Sequence, residues 1–374
     1  MKNSHLLAKF FGVTFVLAVG FSSNLSAQGT SNSVSTPVVG FVTTTLAAGS
    51  DTIIAPQVLR PSELSAAVSG VTSTATQATL ALSGATLTAN QFQYNATTQP
   101  NTYFALVTGG NLTGTYFLVS SNTTSEIIVN LDGLTASSAD ITSIEVRPCW
   151  TLSTLFPAED AGKSFTPSAD SSGAQRRTTI LMPNFAGTGV NRASAATYFY
   201  NNAVGVQSWV STTAVTTKAG DTAVLPGSYV ILRNTGGTPV QLSFTHSGAV
   251  LASKLTSYLG TLTNASSDTL IALPRPTDYT LSQIGLTTNN FMPSSSSSGA
   301  DRRDTLLVVS PTGTGVNRAS SATYFLVSTN WYSTTATSTP TNNAVVPAGS
   351  ALIIRKFRSD GSDKVFDNNL NVSL

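Results

Sequence analysis

Short runs in which Val, Ile, Leu and Phe alternate with Ser and Thr recur along most of the 374-residue chain. A two-residue period marks strands, whose successive side chains face opposite sides of a sheet. Residues 38–46 are rich in β-branched side chains and end in the turn Ala47-Ala48-Gly49-Ser50. Residues 115–119 and 126–129 flank a polar stretch, 120–125, and read as a hairpin. Ile141, Ser143 and Glu145 alternate with Thr142, Ile144 and Val146. The runs 229–233 and 352–355 are short and apolar, each following Pro and Gly. Helical spacing held for three turns is rare, and the best candidates, 61–68 and 251–259, are short. The predicted fold class is all-β: antiparallel sandwich- or barrel-like modules with an internal duplication and few short helices.

The duplication is explicit. Gly187-Thr188-Gly189-Val190-Asn191-Arg192-Ala193-Ser194 recurs unchanged from Gly313 to Ser320. The match extends over 173–199 and 299–325 without a gap, at about two identities in every three positions. Ser50-Asp51-Thr52-Ile53-Ile54-Ala55 resembles Ser267-Asp268-Thr269-Leu270-Ile271-Ala272, and Arg60-Pro61 resembles Arg275-Pro276. Trp209 and Trp331 each follow a Thr-Tyr-Phe, and Pro226-Gly227-Ser228 matches Pro347-Ala348-Gly349-Ser350. Each of these leads into a strand ending in Arg. Modules are expected at 37–160, 161–262 and 263–374, the last two holding one copy each, with 294–298 as a low-complexity turn before the second. Within the block a double Arg precedes a strand, Gly-Thr-Gly permits a tight turn with positive φ, and Asn-Arg can satisfy loop backbone groups. Arg192 and Arg318 therefore either close equivalent hairpin loops or grip an anionic or sugar ligand.

The N-terminus reads as a secretory signal. Lys2 and Lys9 form a basic region, 10–21 is apolar and too short to span a bilayer, and Leu25-Ser26-Ala27 is an acceptable cleavage site. A signal at 1–27 and a linker at 28–36 are expected, with a mature chain that carries no transmembrane helix and is secreted, periplasmic or at the cell surface. The signal takes two of 19 basic residues and none of 17 acidic ones, so the mature chain is formally neutral and lacks a field to draw nucleic acid. Charged residues make up 10%, far below the roughly 25% of ordinary soluble domains, so solubility rests on Ser, Thr and Asn. The single Cys149, beside Trp150, reads as a small buried hydrophobe rather than half of a disulfide.

Val39-Gly40-Phe41-Val42-Thr43, the segment 114–123 and Trp150-Thr151-Leu152-Ser153-Thr154-Leu155-Phe156-Pro157 resemble an exported protein family found in many copies per genome in Verrucomicrobia. The repeated Gly-Thr-Gly-Val-Asn-Arg-Ala and Thr-Tyr-Phe elements fit the same pattern, so the resemblance covers nearly all the mature chain. It implies export and a β-rich build; that family has no assigned activity to carry over.

Candidate chemistry is sparse. His246 is the only histidine after the signal, in an alternating strand, and reads as a surface or hydrogen-bonded residue. No Gly-x-Ser-x-Gly elbow occurs, and one His with one Cys cannot complete a typical zinc site. Glu63, Glu126, Glu145 and Glu159 are the only glutamates, and the aspartates sit mostly beside Gly, Ser or Thr in turns. Asp360-Gly361-Ser362-Asp363 does not fit a calcium loop, because Lys364 replaces an oxygen ligand; a hairpin between 353–357 and 364–366 is expected instead. Trp150, Trp209 and Trp331 read either as core aromatics or as platforms for sugar rings.

No catalytic residues, metal or cofactor are expected. The predicted function is that of an exported, non-enzymatic structural or adhesive protein of the cell exterior. The alternative is a carbohydrate-binding protein, with Arg192, Arg318, Trp209 and Trp331 as ligand residues and a cell-surface or extracellular polysaccharide as partner. An outer-membrane β-barrel is a further alternative, although aromatic girdles are not evident.

Overall fold

In the computed structural model, which describes residues 38–358 and 363–368, alternating runs pair into antiparallel sheets, joined by turns, four single-turn 3-10 helices and a four-residue α-helix. The expected signal, 1–27, the linker, 28–36, and Asp360-Gly361-Ser362 lie outside the described residues.

The chain begins with β1 (Val39–Leu46) and β2 (Ser50–Ile54). It then builds β3 (Leu64–Ser73), β4 (Gln77–Leu82), β5 (Tyr103–Gly109), β6 (Tyr116–Asn122), β7 (Glu126–Asn130) and β8 (Ser143–Pro148). These six close into a barrel in the order β3-β4-β7-β6-β5-β8. Leu80, Phe117, Ile127, Val129, Ile144 and Val146 fill its interior. Register shifts between Val68/Gly70, Val107/Gly109 and Val119/Ser121 supply the bends that closure needs.

Leaving the barrel, the chain makes β9 (Trp150–Thr151) and α1 (Leu152–Leu155), capped by the Thr151 hydroxyl. There follow β10 (Thr178–Pro183), β11 (Ser194–Asn201), β12 (Ser208–Ser211), β13 (Ala214–Lys218), β14 (Ala223–Val224), β15 (Val230–Asn234) and β16 (Leu242–Ala249). A six-stranded sheet runs β13-β12-β11-β10-β15-β2, while β1 pairs with β16 and β9 with β14.

The rest of the chain forms β17 (Leu255–Leu259), β18 (Ser267–Ala272), β19 (Tyr279–Thr280), β20 (Thr305–Val309) and β21 (Ala322–Val327). It ends with β22 (Asn330–Ser333), β23 (Val345–Val346), β24 (Ala351–Lys356) and β25 (Lys364–Asn368). Here the sheet runs β18-β24-β20-β21-β22, with β17 pairing β25 and β19 pairing β23. This is the order of the first copy from the opening ribbon to its closing partner, except that β13, the outer strand of the first sheet, has no counterpart in the second. The barrel occupies the place between β2 and β9 that the second copy crosses directly from β18 to β19.

Strand pairing crosses the line expected at residue 160: β1 and β2, before the barrel, pair with β16 and β15. The two expected helices are not helices: 61–68 enters β3 and 251–259 ends in β17. Helix nucleation is costly over so few residues, and cross-strand pairing satisfies the same backbone. The hairpin at 115–129 forms as β6–β7. The expected pairing of 353–357 with 364–366 does not form, because β25 pairs with β17.

Candidate functional site

The two copies of Gly-Thr-Gly-Val-Asn-Arg lie in the loops that join β10 to β11 and β20 to β21. Local chemistry explains the residue types. The second glycine takes a left-handed backbone, φ +82° at Gly189 and +97° at Gly315, and the asparagine follows at +52° (Asn191) and +50° (Asn317). Glycine enters that region freely and Asn more readily than other side chains. The first glycine makes room for the arginine. A Cβ at Gly313 would lie 2.6 Å from Arg318 Nη2, and one at Gly187 would lie 3.0 Å from Arg192 Cδ.

Each loop reaches across to the edge strand of the other copy. Gly315 O accepts the Asp51 N–H at 2.9 Å, and Gly189 O accepts the Asp268 N–H at 2.9 Å. Asp51 Oδ2 in turn accepts the Asn317 N–H at 2.7 Å, and Asp268 Oδ2 the Asn191 N–H at 2.9 Å. Each aspartate is also held by the arginine one residue before the end of the neighbouring strand. Arg233 donates to both Asp51 oxygens at 2.7 and 2.8 Å, and Arg355 to both Asp268 oxygens at 2.8 and 3.0 Å. The same guanidiniums donate to the loop amides, Arg233 to Asn317 Oδ1 at 2.6 Å and Arg355 to Asn191 Oδ1 at 2.7 Å. Two-point arginine–carboxylate pairing fixes orientation as well as proximity. Hydrogen bonding to the aspartates holds both arginines above their ordinary pKa.

The expected ligand arginines complete this clasp. Arg318 donates to Asp51 O at 3.1 Å and to Ser310 O and Thr312 O at 2.9 and 2.5 Å. Arg192 donates to Asp268 O at 2.7 Å, to Phe185 O at 3.5 Å and to Gly187 O. Both bind main-chain carbonyls within and across the junction. The contacts also cover β2 and β18, which are sheet edges with unpaired backbone groups. The copies differ in the loop carbonyls their arginines reach and at the serine: Ser50 Oγ accepts the Gly315 N–H at 2.9 Å, whereas Ser267 Oγ donates to Gly260 O. Between the two grips lies a cleft of about 390 Å³, lined by Ile53, Ile231, Leu270 and Ile353 with Tyr229 and the two loop arginines. Burial pushes the Tyr229 phenol upward.

Trp209 and Trp331 are elsewhere. Trp209 is fully buried among Phe156, Phe165 and Tyr200, its indole N–H donating to Phe156 O at 3.0 Å. Trp331 is 2% exposed and packs against Phe291 at 5.2 Å. Neither offers a ring face to a sugar, because each anchors the core of its own sheet. Trp150 is half-buried and donates to Val58 O at 2.8 Å. Of the two expectations for His246, surface or hydrogen-bonded, the structure shows the second, on the buried face of β16 that it shares with Phe244. Its Nε2 accepts the Gln57 N–H at 3.3 Å.

Asp51, Asp268, Arg233, Arg355, Asn191 and Asn317 are the clasp residues that site prediction missed. Their signal was present as the paired Ser-Asp-Thr and the Arg that closes each apolar run. Among the described residues no group of three or more His, Cys, Asp or Glu is placed to hold a metal ion, and no helix is long and apolar enough to cross a membrane. Comparison with protein-family models, curated proteins and solved structures finds no match to this chain.

Proposed function

We propose that this chain is an exported, non-enzymatic structural or adhesive protein of the cell exterior. The observation that carries the reading is the clasp. In a chain with few charges, the repeated Asp, Asn and Arg residues are committed to joining two like sheets edge to loop. Such a junction resists separation, and the barrel packs against it through Phe104 and Leu106, which share a core with Leu251 and Leu255. A composition rich in hydroxyl and amide side chains and an N-terminal sequence with the pattern of a secretion signal agree with work outside the cell. The test is twofold. The chain expressed with residues 1–27 should leave the cytoplasm and mature near Gln28, and the purified product should not turn over glycosides, esters or peptides. Turnover abolished by substituting one carboxylate or His246 would overturn the reading.

A second reading, carbohydrate binding, is supported by residues other than those expected. A cleft of about 780 Å³ where the barrel meets both copies is lined by Tyr116, Tyr258, Thr115, Ser228 and Ser257, with Asp132 and Asp363 also on its wall. Aromatic rings among hydroxyl and carboxylate acceptors suit a sugar ring. A glycan array that gave binding abolished by Tyr258→Ala would favour this reading over a purely structural one. The outer-membrane alternative gains no support from the barrel, whose apolar side chains fill its interior.

A further inference from the structure

Lys356 ends β24 and Asp304 immediately precedes β20, two strands whose next residues, Arg355 and Thr305, are paired. The ammonium and carboxylate are in contact, with side chains only 4% and 0% exposed. Asp304 Oδ1 accepts the Phe357 N–H at 2.7 Å, and Oδ2 accepts the Met292 N–H at 2.7 Å. Lys356 Nζ also donates to Asn290 O at 2.7 Å and lies 5.7 Å from the centroid of the buried Phe291 ring.

The first copy fills these positions without charge. Thr178 and Asn234 are directly paired across β10 and β15, and both are buried. Thr178 Oγ1 accepts the Thr166 N–H at 2.9 Å, just as Asp304 accepts that of Met292. Thr166 and Met292 hold the same place in Phe165-Thr166-Pro167 and Phe291-Met292-Pro293. The fold therefore does not require an ion pair here. Removing two ions from water costs several kcal/mol each, and their attraction seldom returns more than a neutral pair would. Stability alone is a poor reason for this substitution.

Reactivity is a better one. In so dry a site, transfer of one proton from the ammonium to the carboxylate leaves an amine facing a carboxylic acid, with no water between them to carry charge away. A neutral amine is a nucleophile, and the Phe357 N–H is placed where negative charge would develop on Oδ1. We propose that Lys356 and Asp304 condense to an internal amide that ties the end of β24 to the start of β20. One proton passes from the Lys356 ammonium to Asp304 Oδ2, and Nζ then forms a bond to Cγ. A second Nζ proton moves to Oδ2, the Cγ–Oδ2 bond breaks and water leaves. No oxidant or co-reactant is needed, and charge is conserved. The remaining N–H donates to Asn290 O, while Oδ1 becomes the amide oxygen and keeps the Phe357 N–H.

Peptide mass mapping of the full chain, denatured and digested with trypsin, tests the proposal. The expected result is one branched peptide joining the segments that contain Asp304 and Lys356, lighter than their sum by one water, with no cleavage after Lys356. The double variant Asp304→Thr, Lys356→Asn reproduces the pair the first copy already accommodates, and it should yield two separate peptides. Unmodified Asp304 and Lys356 peptides from the wild-type protein would overturn the proposal. So would loss of water at Asp304 without joining, which marks a cyclic imide instead.

Discussion

The Asp51 carboxylate accepts the backbone N–H of Asn317 at 2.7 Å, across 266 residues of chain. Asp268 makes the same contact with Asn191, so two loops with one sequence hold two strands with another. Asp51→Ala leaves Arg233 and the Asn317 N–H without their acceptor, and Asp268→Ala does the same to Arg355 and Asn191. Each substitution is expected to cost about 2–4 kcal/mol, since the aspartates are buried while the arginines are partly exposed. Urea unfolding measures this. Variants that unfold at the wild-type urea concentration would show that the clasp adds nothing to stability.

The asparagines carry two separable contributions, an amide oxygen for the arginine and a left-handed backbone. Asn317→Gly removes only the first, whereas Asn317→Ala also forces an unfavourable φ, costing about 1–2 kcal/mol more. Thermal melts should therefore rank wild type above glycine and glycine above alanine, and Asn191 should give the same order. Alanine equal to glycine would mean that the loop relaxes out of its left-handed turn.

Much of the fold can be read from alternation, as at Tyr229-Val230-Ile231-Leu232-Arg233, because a half-buried strand needs only a two-residue period. Which strands pair cannot be read this way. Ile53 pairs with Ile231, although the whole barrel lies between them in sequence, and nothing local distinguishes that partner from another apolar strand. Barrel closure is equally silent, since its strands share the alternation of an open sheet. The clasp was half legible. Arg192 and Arg318 stand out because their block is repeated, but Asp51 and Asp268 sit in Ser-Asp-Thr, which resembles a turn and in fact opens an edge strand. Tryptophan spacing after Thr-Tyr-Phe located equivalent positions, yet equivalence says nothing about exposure.

Burial of Trp209 and Trp331 has an optical consequence. Emission from these indoles should be blue-shifted and resist iodide quenching, with Trp150 supplying what quenching there is. Oligosaccharides should leave the spectrum of a Trp150→Phe variant unchanged. Quenching of that variant as strong as in the unfolded chain would place an indole at the surface. Trp209→Ala should destabilise by about 3–5 kcal/mol, the cost of a large buried aromatic.

Cys149 is 1% exposed, and burial pushes its thiol up to about 12. The thiolate is the reactive form, so a thiol reagent at pH 8 should modify native protein only as fast as it opens. The expected result is slow labelling that becomes immediate in denaturant. Rapid stoichiometric labelling of folded protein would contradict the placement of Cys149 beneath Leu59 and Phe104.

His246 should make the protein acid-sensitive. Burial pushes its imidazole from the ordinary 6.5 down to about 4. Nε2 accepts from Gln57 N, so a proton added there would set two donors against each other. Between those two values the unfolded chain binds a proton that the folded chain refuses. Stability should therefore be full above about pH 6.5, fall as pH drops toward 4, and lose no more from this group below that. The total loss is about 3 kcal/mol, from 1.36 kcal/mol per pH unit. Carboxylates titrate in the same range, so the informative quantity is the difference between wild type and His246→Gln, whose amide oxygen can still accept the Gln57 N–H. Urea midpoints at pH 7 and pH 4.5 should converge for the variant more than for wild type. Identical pH dependence in both would show that the imidazole is solvated in the folded protein.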